Sequence, residues 1–296
     1  MSCPSIHISI PCPICGSSRY KVKYPDTLGV VMPRFDYNFS PDHNLTYRTV
    51  KCLECGHGYS SPRPEKLWIK YKEVIDEVYL RNDAQRIETA KKVILHLRKF
   101  LSSGRLLDVG CATGDFLSVA KDYFDVEGIE LSQWSAEIAR RRGFIVHESE
   151  LGELQGGELY DIITLWGVIE HFENPVKEVI NIGKLLKRGG IVSLWTGDFD
   201  AILSKILGRR WWWVQGQHIN LFSRRSLCTL FENNGFKVLD ISVYPYVMTM
   251  RSISESLGRY PLVTKLTNGI FNADFFAKRK ITIELPGEMF ATFRKG

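Results

Sequence analysis

Four of the seven cysteines stand in two CxxC pairs, Cys12-Pro-Ile-Cys15 and Cys52-Leu-Glu-Cys55, separated by 36 residues and each followed by glycine. Backbone N–H groups in such a loop point at the thiolates, and four thiolates close a tetrahedral shell around zinc. A closed shell leaves no position for water, so we expect a structural zinc. His57 is expected beside this site. A redox pair is disfavoured because no βαβ pattern surrounds either motif.

A second stretch with chemical potential is LLDVGCATGDFL, residues 106–117. It places Asp108 at the end of a predicted strand, and Gly110 and Gly114 in the turn before a predicted helix. Small residues let the backbone approach a ligand, and a helix start offers free N–H groups. Glu130 follows 22 residues after Asp108, at the end of the next predicted strand, where a carboxylate can accept both hydroxyls of a ribose. The spacing does not match the G-x-G-x-x-G of pyrophosphate binders.

Two histidines are candidates for acid–base chemistry. His171 lies in IEHF directly after the fourth predicted strand of the sheet, and His218 lies in WWWVQGQHINLFS after the fifth. The carboxyl ends of these strands face the binding crevice of an open α/β sheet. Each histidine can serve as a base for a hydroxyl nucleophile or can orient its own loop. At least one of the tryptophans 211–213 is expected in the core, because consecutive residues cannot all face one way.

The elements that must position these residues form an alternating pattern. From residue 105 to 196, short apolar runs alternate with amphipathic helical stretches, which predicts a doubly wound α/β sheet. Asn174 and Pro175 read as an N-cap and first helical residue, and Gly189 reads as the stop of that helix. The stretch 281–295 reads as a strand, a turn and a strand that finish the sheet.

The chain divides at changes of pattern. Residues 1–65 lack a helical period and end at SSPRPE, and we expect them to form a zinc-ribbon domain. Residues 66–101 show helical spacing and form a linker. Residues 102–244 and 287–296 form the α/β core, and 245–286 read as an insertion, a lid or an interface.

The glycine turn and its neighbours resemble the class I S-adenosylmethionine (SAM) dependent methyltransferases. The first motif of that family is an acidic residue followed by G-x-G-x-G, with Ala112 at the middle glycine here; YDIITLWGVIEHFENP and LLKRGGIVSLW resemble its fourth and fifth strands. The resemblance implies a Rossmann-like seven-stranded sheet. It also implies that Asp108 and Gly110 contact the methionine end of the cofactor and that Glu130 contacts the ribose. Glu150 and Leu151 would contact the adenine, and Trp166 would lie beside the sulfonium. Trp166 is alternatively a core residue.

The order of the motifs over nearly the whole chain resembles zinc-ribbon methyltransferases of sugar, polysaccharide and natural-product biosynthesis. The resemblance implies methyl transfer to oxygen or carbon of a small acceptor that is sugar- or nucleotide-linked. An RNA methyltransferase is the alternative enzyme, disfavoured because W-G-V-I stands where an N-P-P-Y type tetrapeptide would end the fourth strand. A non-catalytic module that binds SAM and zinc is the alternative outside enzymes.

Composition sets broad limits on function. The net charge of +6 is modest and is divided as +2 over residues 1–65, zero over 66–250 and +4 over 251–296. A neutral centre is a weak signal for nucleic acid. No stretch approaches the roughly 18 apolar residues that span a bilayer, and the first residues lack the features of a signal peptide. The expectation is therefore a cytoplasmic protein, and the oligomeric state stays open.

Overall fold

The computed structural model describes residues 7–29, 32–37, 45–154, 156–257 and 280–296. The strands of this part of the chain are β1 (His7–Ile8), β2 (Tyr20–Tyr24), β3 (Thr49–Cys52), β4 (Gly58–Ser60), β5 (Arg63–Pro64), β6 (Arg105–Val109), β7 (Asp125–Ile129), β8 (Ile145–His147), β9 (Tyr160–Trp166), β10 (Leu186–Gly197), β11 (Asn220–Leu221), β12 (Phe236–Ser242), β13 (Pro245–Thr249), β14 (Lys280–Glu284) and β15 (Glu288–Lys295). The helices are α1 (Glu77–Arg81), α2 (Asp83–Leu97), α3 (Asp115–Ala120), α4 (Gln133–Arg141), α5 (Pro175–Leu185), α6 (Ile202–Leu207), α7 (Arg224–Glu232) and α8 (Met250–Leu257).

A seven-stranded sheet carries the core, in the order β12-β15-β10-β9-β6-β7-β8. Strands β8, β7, β6, β9 and β10 are parallel neighbours, whereas β15 runs antiparallel to both β10 and β12. Parallel strands joined by helices bury both faces of a sheet, which is why their sequences are short apolar runs. The doubly wound fold class is therefore confirmed.

Local capping signals fix several helix ends. Asn174 caps α5 by accepting a hydrogen bond from the backbone N–H of Lys177, with Pro175 at the first helical position, as predicted. Gly189 was expected to stop this helix, and that expectation is wrong. The helix ends at Leu185, and Gly189, with φ of 77°, lies within β10, where the pairing with β9 shifts register. The positive φ of Gly189 therefore belongs to the irregular part of β10, where the register shifts.

A smaller sheet contains the segment with the CxxC pairs. Its order is β11-β4-β3-β2, so β11, from the chain beyond β10, completes a sheet whose other strands come from residues 20–60. Cys12, Cys52 and Cys55 belong to the same buried cluster as core residues of β9 and β10. The cysteine-bearing segment thus packs against the α/β core.

The linker and the late segment each contain more than one element. Residues 66–101 form a short 3-10 helix at Leu67–Glu73 followed by α1 and α2, and α2 packs on the core through its buried face. The strand–turn–strand expectation is correct for β14 and β15, but only β15 joins the main sheet, because β14 pairs with β13. Of the stretch 245–286, residues 258–279 lie outside the described residues.

Candidate active site

The glycine turn after β6 has the backbone geometry that its residues predict. Gly110, Ala112 and Gly114 have φ of 72°, 46° and 83°. A Cβ added at Gly110 would come within 2.7 Å of Cγ2 of Val168, in the segment after β9. Glycine is therefore required there for two reasons, positive φ and close approach. Ala112 adopts the left-handed region despite its side chain, at the position where the resembling family has glycine.

Asp108 lies at the end of β6 and is buried, with 1% of its surface exposed. Its Oδ1 accepts a hydrogen bond of 2.6 Å from the hydroxyl of Thr164 on the neighbouring strand β9. Burial raises the pKa of Asp108 to about 8 and outweighs the opposing effect of that hydrogen bond. The carboxyl therefore holds a proton at neutral pH in this structure.

Glu130 follows β7 and is also buried, and burial raises its pKa. Its Oε2 accepts from the backbone N–H of Ala112 at 2.8 Å, which ties the glycine turn to the second strand end. Its Oε1 accepts from the N–H of Ser132 at 2.8 Å and from the hydroxyl of Tyr37 at 3.0 Å. The carboxyl group that is predicted to bind the ribose thus accepts a hydrogen bond from a tyrosine of the cysteine-bearing segment.

The residues predicted for adenine and sulfonium occupy the neighbouring strand ends. Glu150 caps the short helix Leu151–Glu153 after β8, and the side chain of Leu151 packs into the core. Trp166 ends β9, and its ring centroid lies 5.1 Å from that of Phe116 and 5.8 Å from that of Phe290. Its indole Nε1 is buried and has no hydrogen-bond partner among the described residues. Trp166 therefore packs in the core and holds a buried indole N–H that has no partner among the described residues.

A compact polar cluster follows at the ends of β9 and β10. Glu170, His171 and His218 each offer a ligand atom, and these atoms all lie within 4.8 Å of one another. Glu170 is 1% exposed, its Oε2 accepts from Thr196 Oγ1 at 3.1 Å, and burial raises its pKa to about 8. The two imidazole centroids are 4.8 Å apart. The fold therefore brings both predicted histidines together and adds a carboxyl group.

Hydrogen bonds define the tautomer of both histidines. Nδ1 of His171 lies 2.9 Å from the carbonyl of Gln217 and 2.8 Å from the hydroxyl of Tyr71. That hydroxyl donates to the Gln217 side chain, so Nδ1 is the donor and Nε2 carries the lone pair. Nδ1 of His218 lies 2.9 Å from the carbonyl of Trp213, which assigns the same tautomer. Burial lowers the pKa of His171 to about 4, so its ring is neutral at pH 7.

The tryptophan stretch, residues 211–213, packs in the core beside this cluster. Trp211 and Trp213 are buried, which confirms that at least one of the three lies in the core, and the ring of Trp213 is 5.3 Å from that of His218. The indole N–H groups of Trp212 and Trp213 donate to Oε1 of Glu288, on β15, at 2.8 and 3.3 Å. Burial raises the pKa of Glu288 to about 7.

The four predicted metal ligands converge in the cysteine-bearing segment. The Sγ atoms of Cys12 and Cys55 are 3.5 Å apart, and those of Cys15 and Cys52 are 3.6 Å apart. Ligands of a tetrahedral zinc lie about 3.8 Å apart at a Zn–S bond of about 2.3 Å, so the set fits one ion. His57 is fully buried beside this cluster, with Nε2 at 3.2 Å from Oδ1 of Asn220.

Sequence reasoning missed several residues of these sites. Tyr37, Tyr71 and Glu170 stand in no motif of known spacing, and their roles depend on contacts with distant segments. Glu170 alone had a signal, because it directly precedes His171 at a strand end.

Comparison with known proteins identifies the family. The sequence model of the family described as "Methyltransferase domain" matches residues 82–241, more than half of the chain. The chain therefore belongs to this family of methyltransferases. The fold agrees, because the structure of a SAM-dependent methyltransferase from Thermotoga maritima matches with a TM-score of 0.51 at 20% identity, covering 74% of this chain and 94% of that one.

Curated relatives match over shorter stretches. An uncharacterized protein of Methanocaldococcus jannaschii is 31% identical over 138 residues, 46% of this chain and 64% of that protein. The ubiquinone biosynthesis O-methyltransferase of Bordetella avium is 37% identical over 110 residues, 33% of this chain and 45% of that enzyme. The chain thus covers roughly half to two thirds of these relatives.

No helix among the described residues has the length and apolar character that crossing a membrane requires.

Proposed function

We propose that this SAM-dependent methyltransferase transfers the methyl group to an oxygen or carbon of a small acceptor, of the sugar- or nucleotide-linked type, and that His171 and His218 activate that acceptor. The observation that carries the proposal is the pairing of two imidazoles, each with Nδ1 facing a backbone carbonyl, beyond the carboxyl ends of β9 and β10. In that tautomer the basic nitrogen of each ring is Nε2.

The reaction is an in-line displacement at the methyl carbon. The bond from sulfur to the methyl carbon breaks, its electron pair stays on sulfur, and S-adenosylhomocysteine leaves as the new bond to the acceptor forms. An acceptor hydroxyl loses its proton in the process, which requires a group that accepts or displaces it. Holding the acceptor in line with the sulfonium supplies much of the remaining rate.

Cofactor binding is proposed at the neighbouring strand ends. Asp108 and Gly110 would hold the methionine end of the cofactor, and Glu130 would bind its ribose. Gly114, at the start of α3, would let the backbone approach the cofactor. Trp166 would lie beside the sulfonium, since it ends β9 directly before the segment that carries His171. Glu150 and Leu151 would contact the adenine.

The cysteine cluster is proposed to hold one structural zinc. Four thiolates in a closed shell leave no position for substrate, so this metal stabilises the fold and takes no part in the transfer. Its domain would lie on the substrate side, because β11, which completes the small sheet, begins two residues after His218.

Calorimetry and labelling test the proposal. Wild-type protein is expected to bind SAM, Asp108→Ala to abolish binding, and Asp122→Ala, at an exposed residue before β7, to leave it intact. Incubation with methyl-labelled SAM and separated cell fractions is expected to label small metabolites, with loss of labelling in His218→Ala. Label in the RNA fraction would favour the RNA methyltransferase, and absence of SAM binding in the wild type would favour a non-catalytic module.

A further inference from the structure

The cluster at the ends of β9 and β10 has the composition of a metal site. Its three members are Glu170, His171 and His218, two imidazoles and one carboxyl group whose ligand atoms lie within 4.8 Å of one another. Two histidines and one carboxylate on one side of an ion are a recurrent set for divalent transition metals. The cysteine cluster is the other such group among the described residues, and it consists of sulfur ligands.

The carboxyl of Glu170 supplies independent support. Its Oε1 is buried and has no hydrogen-bond partner among the described residues, while Oε2 accepts from the hydroxyl of Thr196. An unsatisfied buried carboxyl oxygen costs free energy, and it costs more when the group is charged. A cation placed beside Oε1 removes that cost.

The histidines are oriented as metal ligands are. A ligating histidine almost always donates its second N–H to a carbonyl, carboxylate or water, which fixes the ring and the tautomer. Here Nδ1 of His171 faces the carbonyl of Gln217, and Nδ1 of His218 faces that of Trp213. The tautomer that these two carbonyls favour places the basic nitrogen of each ring at Nε2, and a neutral imidazole nitrogen is the form that binds a metal.

We propose that Glu170, His171 and His218 bind one divalent cation with mixed nitrogen and oxygen preference, such as Mn²⁺, Co²⁺ or Zn²⁺, whose remaining positions take an oxygen of the acceptor. Ligands of one ion lie about 3–3.5 Å apart at bonds of about 2.1 Å, so binding draws the three side chains together by roughly 1 Å. This inference rests on the proposed function and specifies it: the acceptor is an oxygen nucleophile that loses its proton to solvent on coordination, because a cation lowers the pKa of a bound hydroxyl.

Manganese titration tests the site without relying on activity. Mn²⁺ is a hard ion that does not compete with zinc for four thiolates, so it reports this cluster alone. Free Mn²⁺ is measured by its paramagnetic resonance signal in protein that has been purified without chelators. We expect one bound Mn²⁺ per chain, with affinity lowered at least 10-fold in Glu170→Gln and in His218→Ala.

The control is His147→Ala. His147 pairs with Glu127 at 3.0 Å on a different strand, so it tests whether any histidine–carboxylate pair binds the ion. Its affinity is expected to equal that of the wild type, and circular dichroism checks that each variant is folded. Two variants at different ligands keep the test decisive if one of them fails to fold.

The outcomes separate the two proposals. The cation proposal is overturned if the protein binds SAM but has no manganese site, or if neither variant weakens the manganese site. A histidine Nε2 atom would then take the proton of the acceptor hydroxyl directly. A manganese site in protein that binds no SAM supports the cation and overturns the methyl transfer instead.

Discussion

The hydroxyl of Tyr37 is predicted to compete with the cofactor for Glu130. Oε1 of Glu130 already accepts two hydrogen bonds, from Tyr37 at 3.0 Å and from the N–H of Ser132 at 2.8 Å. A carboxylate oxygen has about two lone-pair sites, so both sites of Oε1 are filled. Oε2 accepts from the N–H of Ala112 at 2.8 Å, so at most one of its sites is open. A ribose that bonds through both hydroxyls must therefore displace the Tyr37 hydroxyl.

The substitution Tyr37→Phe removes that hydroxyl and keeps the ring, whose centroid lies 5.0 Å from that of Tyr79. A hydrogen bond to a carboxyl group contributes about 1–2 kcal/mol net. The variant does not have to break this bond on binding, so its SAM dissociation constant is expected to fall by about 5- to 30-fold. The protein without cofactor loses the same bond, so its free energy of unfolding is expected to fall by a similar amount.

Isothermal calorimetry with SAM and urea denaturation without it measure the two effects, which have opposite signs. Tyr123→Phe is the matched control, because Tyr123 is a partly exposed tyrosine between α3 and β7. It is expected to change neither quantity. Unchanged or weaker SAM binding in Tyr37→Phe would refute the reasoning and would mean that the Tyr37 hydroxyl remains in the ribose site.

Two further predictions concern the zinc cluster and the buried acid. Purified protein is expected to contain about one zinc per chain by elemental analysis, and Cys52→Ser to lose the zinc and lower the melting temperature, while Cys228→Ser, outside the cluster, retains it; well under half a metal per chain in the wild type would contradict this. Burial raises the pKa of Asp108 to about 8, so the folded chain keeps a proton that the unfolded chain releases near pH 4. This group therefore lowers the free energy of unfolding by about 1.4 kcal/mol per pH unit from about pH 4 to about pH 8. Asp108→Asn removes the contribution, so urea denaturation should show the variant gaining on the wild type as pH rises, and parallel pH profiles would refute the assignment.

Local patterns in the sequence were sufficient for most of the core. The alternation of strands and helices and the cap at Asn174 depend on residues close together in the sequence, and the structure contains them. The stop at Gly189 failed because positive φ is compatible with a helix end and with a strand irregularity alike. Choosing between them requires the register of β10 against β9, which no local pattern encodes.

Strand partners were likewise beyond local reasoning. β14 and β15 are separated by three residues, yet one pairs with β13 and the other enters the main sheet between β10 and β12. Both have the composition of a strand. Their different places follow from side-chain packing against segments far away in the chain.

The sequence by itself determined the two CxxC pairs, the glycine turn and the acidic strand ends, because each is a short-range constraint: a fixed number of residues must span a metal loop or a tight turn. Only the tertiary structure decided that Tyr37 meets Glu130, 93 residues away, and that His171 meets the loop of Gln217, 46 residues away. Such contacts depend on where parallel strands end and on how the cysteine-bearing segment packs over them. Those positions are set by burial summed over the whole core, a property that no single motif carries.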